Sequence, residues 1–346
     1  MSVQRVIDYV IESPYNVNKA VLKTLLDTLV EEVGPHDPAE EVTTKEELIE
    51  ALTSEEPVVE LKLSNNLTID DSITVPSGKK VTINLNGKTL TTGSKTIYVD
   101  GGEFIIDGEG SIEGTGRPIQ VLNNGKLIIE GGKVVSRNDC AITCYSNGIV
   151  EMNDGEVEAQ EVGILATTGA QVTINGGDIT TVDNFAIGGN GNSGQGGTNI
   201  VINGGHIKGN ITSAGYVACG IYQPQDGTLT INGGEIIADG GCGIVMRAGA
   251  LTVNGGTIIG SGESGIRGKV GDSKITIGPN GITYDQAAHY PDGQNLSVNI
   301  INGYIIGVDE AVEVLKDEGH QETVTITGGV LLPTPDEEVI YDGGDV

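Results

Sequence analysis

The sequence predicts an all-β chain, a parallel β-helix of about eleven rungs. Three observations predict it. A phrase returns at a near-constant period: VTINGGDI at 172–179, IVINGGHI at 200–207, LTINGGEI at 229–236 and LTVNGGTI at 251–258. With the residue before its first Gly as a marker, looser copies extend the series from Asn84 through Asp107, Glu130 and Asn153 to Gly278, Ile301 and Thr327. Successive markers lie 22 to 29 residues apart, mostly 22–24. A second phrase falls between the copies, as in CGIYQPQDG at 219–227 and CGIVMRAG at 242–249. Finally, the apolar pieces are short, β-branched and bounded by Gly, Asn and Asp, which suits strands. Three pieces per repeat give three strands per rung. A leucine-rich repeat has a similar period, but its Leu ladder and helical back are missing.

The elements follow in order. An apolar opening (Val6, Ile7, Tyr9, Val10) stops at Ser13-Pro14, just before Tyr15. Asn18 can cap a helix to about Val33, with Leu22, Leu25, Leu26, Leu29 and Val33 on one face. That stripe must be buried. The end of the β-helix, a small helical bundle or a larger particle would each bury it. Gly34 to Pro38 reads as a hinge. Thr43 with Glu46, or Thr44 with Glu47, forms a capping box for a helix ending near Thr53. Its Leu48, Ile49, Ala51 and Leu52 are expected to cover the edge of the first rung. Strands are expected from about Val58 to Leu332, with a short helix over Asp309–Glu318. Pro333 and Pro335 end the pattern. The chain thus divides into 1–38 (anchoring segment and hinge), 39–57 (capping helix), 58–333 (β-helix) and 334–346 (exposed acidic tail).

With 54 Gly, two Phe and no Trp, ladders of small aliphatic residues must fill the interior. Each buried Ile, Val or Leu contributes roughly 1.5–3 kcal/mol. A net charge of −29 argues against nucleic acid as a partner. MSVQRVIDYVIES has no basic stretch ahead of an apolar run, so no signal peptide is read. No membrane span is expected either. Cys140, Cys219 and Cys242 share a column with Val162, Phe185 and Ser264. Buried free thiols are expected there, with a Cys219–Cys242 bond between neighbouring rungs as the alternative.

Stacking turns equal positions into columns about 4.8 Å apart. Lys133, Glu156, Asp178, His206, Glu235 and Thr257 form one. Glu156 and Asp178 would match the carboxyl spacing of a retaining glycosidase, but any stacked acids meet that distance, and a solvated corner is the plainer expectation. A cation site would lack oxygen ligands. Gly189–Gly194 fits GxGxxG, yet a strand follows where a dinucleotide site needs a helix. Insertions at 188–199 and 209–217 project loops, the second carrying Tyr216. With Tyr284, His289 and Tyr290, these are the ligand-facing candidates. No catalytic residue, metal ligand or cofactor is assigned.

Over residues 58–332 the rungs resemble the right-handed β-helix of pectate-lyase-like proteins and phage tailspikes. The enzyme motifs of that fold are missing; Gly205-His206-Ile207 lacks the second Gly of a Gly-His-Gly motif. VIDYVIESPYNVNKAVLKTLLDTLVEE, residues 6–32, resembles the opening segment of tailed-bacteriophage head-fibre proteins. That resemblance implies a homotrimeric structural virion protein at the capsid surface. Val6, Ile7, Tyr9, Val10, Tyr15, Leu22, Leu25, Leu26 and Leu29 would then anchor it on the major capsid protein, leaving the β-helix to meet host-surface glycans. A tailspike-like polysaccharide depolymerase is the alternative.

Overall fold

The computed structural model describes residues 39–190, 194–210, 219–262, 265–270, 274–277, 282–285, 295–308, 310–316, 322–334 and 337–339. The anchoring segment, Tyr216, His289 and Tyr290 lie outside them. The described chain is an all-β parallel solenoid of about eleven rungs. Three sheets run its length. Sheet 1 has twelve strands, from β1 (Glu40–Val42) to Glu322–Ile326. Sheet 2 has ten, from Ile73–Pro76 to Val312–Lys316, and sheet 3 has twelve, from Leu67–Thr68 to Glu337–Val339. Each rung visits sheet 1, then sheet 3, then sheet 2.

Alternation decides which side chains enter. In Gln171–Ile174, Val172 and Ile174 are wholly buried while Thr173 faces out. In-register pairing then stacks Val172 on Ile200 and Leu229 on Leu251, so the core is a set of aliphatic ladders. The Asn-Gly-Gly corner has a steric cause. A Cβ on Gly204 would stand 2.6 Å from the Asn175 carbonyl oxygen of the rung below. Gly205 has φ +86° and would meet the Gly177 carbonyl at 2.6 Å. The Gly of the Gly-Ile phrase makes room differently: a Cβ on Gly243 would strike Ile258 Cγ2 at 2.6 Å.

The marker Asn residues form a ladder. Each Nδ2 donates to the Oδ1 one rung below: Asn254 to Asn232 (2.8 Å), Asn232 to Asn203 (2.8 Å), Asn203 to Asn175 (2.7 Å) and Asn175 to Asn153 (2.7 Å). Asn153 donates in turn to Glu130 Oε1 at 3.0 Å.

The first rung is closed as expected, by helix α1 (Lys45–Thr53), with the capping box at Thr44 and Glu47. Glu47 accepts from Thr43 N at 2.7 Å and Thr44 N at 3.1 Å, which holds its carboxyl below the usual range. Leu48, Ala51 and Leu52 are buried, but Ile49 is exposed because it faces away from the rung. Lys79 is buried, and its ammonium donates to Ala51 O (3.1 Å) and Ser54 O (2.8 Å), satisfying carbonyls at the end of α1.

Four expectations are corrected. Strands begin at β1, ahead of Val58, since β1 pairs in parallel with Val58–Leu63. The copy at 275–282 is no rung: Lys274–Ile277 pairs antiparallel with Ile282–Asp285, which holds Tyr284, and Gly249–Val253 pairs directly with Leu296–Ile300. Residues 312–316 form a strand on Ile266–Val270, not a helix. Strand Val330–Thr334 runs through Pro333, and Glu337–Val339 of the acidic tail folds back on it antiparallel.

Asn203→Asp should weaken the ladder, because a carboxylate still accepts from Asn232 but cannot donate to Asn175. We expect a loss of about 1 kcal/mol at pH 7 by chemical denaturation, shrinking below about pH 4 as the acid regains a proton. An unchanged midpoint at pH 7 would show that the ladder carries no stability.

Candidate functional site

The acidic column is built as the spacing requires. Lys133 pairs with Glu156, Glu156 with Asp178, Asp178 with His206, His206 with Glu235 and Glu235 with Thr257, each at the head of a strand of sheet 3. Lys133 Nζ lies 2.8 Å from both Glu156 Oε2 and Glu158 Oε1, and these hydrogen bonds raise its pKa. His206 Nδ1 meets Asp178 Oδ1 at 2.9 Å, with both side chains more than half exposed (70% and 57%). Such exposed pairs contribute little to stability. The stack stands in solvent and neither encloses a substrate nor dehydrates an acid.

A different acid pair lies on the approach to sheet 2. Asp139 and Glu161 occupy neighbouring rungs, joined by Glu161 N to Asp139 O at 3.4 Å. Arg117 Nε contacts Asp139 Oδ1 at 3.1 Å, and the Cys140 amide donates to the same oxygen at 2.7 Å. Burial alone would raise Asp139, but the Cys140 amide and Arg117 prevail and hold it below the usual carboxylate range. Glu161 is pushed the other way, by burial first and then by the Asp139 and Asp183 carboxylates. Two neighbouring acids pushed in opposite directions are the polarity that acid–base chemistry uses. The sequence held a signal for it: Asp139, Glu161 and Asp183 recur every 22 residues.

Beyond this pair, the outer face of sheet 2 changes character along its length. Tyr98, Gln120 and Leu165 are half-buried, whereas Tyr222 and Val245, in the same outward column, are fully buried. Tyr145 Oη donates to Gln120 Oε1 at 3.4 Å. Tyrosine rings beside an amide offer both stacking and hydrogen bonding, as sugars require.

All four cysteines are free and buried. The Cys140, Cys219 and Cys242 column is set apart from the main core, in a smaller cluster with Val162, Phe185, Tyr222 and Val245. The rings of Phe185 and Tyr222 lie 5.2 Å apart. Cys219 and Cys242 sit directly opposite one another without a bond. Burial pushes the Cys140 and Cys144 thiols up to about 12, far from reactive thiolates. Among the described residues no cluster of His, Cys, Asp and Glu could hold a metal ion, and no helix is long and apolar enough to cross a membrane.

No family model, curated protein or solved structure matches this chain.

Because Glu161 is held above the ordinary range, its ionisation works against the fold as pH rises. Glu161→Gln should therefore melt above the parent at pH 7 and level with it below about pH 4. A variant melting at or below the parent at pH 7 would remove the assigned repulsion.

Proposed function

We propose that the chain is a structural fibre protein, held by its N-terminal segment and presenting a stiff shaft, as a head fibre does on a virion. The observation carrying this reading is the continuity of the side-chain ladders. Aliphatic stacks fill the interior from rung to rung, and the Asn ladder ties the successive corners from Asn153 to Asn254. A body built this way resists bending and displays its surface. The likeness of residues 6–32 to head-fibre openings supports the site of attachment, and the Tyr98, Gln120 and Tyr145 face offers chemistry for adhesion to a host-surface glycan.

Deletion of residues 1–38 tests it. The truncated chain should keep the parent's circular dichroism and melting transition while losing association with purified phage heads. Association that survives the deletion would overturn the anchor.

One observation favours a second reading, a polysaccharide depolymerase: the opposite polarisation of Asp139 and Glu161 beside Arg117. Glu161 would then be the proton donor and Asp139 the ionised partner. Incubation with capsular polysaccharide should release reducing ends, and Glu161→Gln should cut the rate at least about 100-fold. No reducing ends from the parent leaves the fibre reading alone.

A further inference from the structure

The outer face of sheet 1 divides into two unlike halves. Toward the N-terminal end it is charged, with Lys80 on Glu103 (2.8 Å) and Lys126 paired to Glu151 (2.9 Å). Across the last six strands none of the residues in its three outward columns is charged. These columns run from Gln171 to Thr323, Thr173 to Thr325 and Asn175 to Thr327. They hold Thr, Asn, Ser, Gln, Ala, Val and Ile, and none of these side chains is buried. In a chain of 48 acidic and 19 basic residues, so wide a neutral patch is unexpected on an exposed face. A second observation points the same way. Of the large apolar residues left exposed, Ile301 (46%) stands in the third of these columns, and Tyr304 (56%) follows it round the corner, at the head of the sheet 3 strand of the same rung. Loss of charge together with exposed Tyr and aliphatic groups is the composition of a protein interface core.

We infer that the neutral half of sheet 1 is a self-association surface, and that its occupant is a second copy of this chain. The charge argument selects the copy. An acidic or basic partner finds no opposite charge here, whereas two chains of net charge −29 can meet only where neither presents charge. Thr and Asn side chains both donate and accept, so the surface complements itself. Its size is sufficient. Six strands about 4.8 Å apart, with five residues rising about 3.3 Å each, give a face of roughly 29 by 17 Å. Two such faces bury about 1,000 Å², the lower bound for a specific interface, so the dimer should dissociate on dilution.

The two halves also fix the direction of pairing. A single self-complementary face pairs about a two-fold axis. Parallel shafts would bring the two charged halves together, with Glu60 and Glu151 of the middle column against the partner's Glu60 and Glu151. Antiparallel shafts overlap only through the neutral halves and carry the charged halves apart. Thr230 then faces the partner's Thr252. The inference does not rest on the fibre reading, and it replaces the three-fold assembly that the head-fibre resemblance implies with a two-fold one.

Sedimentation velocity of the full chain over a concentration series tests it. A monomer–dimer equilibrium is expected, strengthened by salt as the net repulsion is screened. Thr230→Lys should abolish the dimer with circular dichroism unchanged, while Thr82→Lys on the charged half should leave it intact. Thr230→Lys combined with Thr252→Glu should restore it, because each introduced ammonium meets the partner's introduced carboxylate. A monomer at all concentrations or a trimer would overturn the inference. So would failure of the double variant to recover the dimer, or a monomer retained on insoluble cellulose through this face.

Discussion

Parallel stacking in register is the constraint on which the rest of this molecule depends. Hydrogen bonding fixes neighbouring strands about 4.8 Å apart, so whatever occupies a slot on one rung must tolerate its equivalent directly above. Aliphatic residues satisfy this by forming interior ladders, and Gly satisfies it where a backbone carbonyl of the rung below leaves no room for a Cβ. Asn satisfies it by being donor and acceptor at once. Charges satisfy it best by alternating, as Lys133 does beneath Glu156 and Lys80 beside Glu103, and where acids stack, as Glu156 does on Asp178, they stand in solvent.

Much of this was legible in the sequence, for a physical reason. A structure that repeats one local environment must repeat the residues that fit it, so the period, the Asn-Gly-Gly corner and the membership of the acidic column could all be read directly. The capping box at Thr44 and Glu47 was legible because its bonds are local. What escaped was pairing that the local phrase does not determine. Residues 275–282 carry the alternation and the Gly of a rung, yet their strand finds its partner within its own hairpin, with Ile277 opposite Ile282. Residues 312–316 alternate in a charged context that reads equally as helix, and only the waiting edge of Ile266–Val270 decides for strand.

The candidate site was harder. Stacked acids are easily found by spacing, but spacing says nothing about solvent. Glu156 and Asp178 share a column and stay exposed, while Asp139 and Glu161 share another and are partly dehydrated by the turn that carries them. The thiols show the same limit. Their column was readable, but its separation from the main core, beside an outward Tyr222 that is itself buried, depends on what lies over sheet 2.

The Asn ladder has a further consequence. Each link asks of its neighbour only another Asn in the same slot, and the aliphatic stacks ask only for more of the same. A rung duplicated between Asn153 and Asn254 would bring its own donor and acceptor and find both satisfied. Unequal recombination could therefore lengthen or shorten this body in steps of about 4.8 Å without disturbing either end, making its reach a readily varied trait.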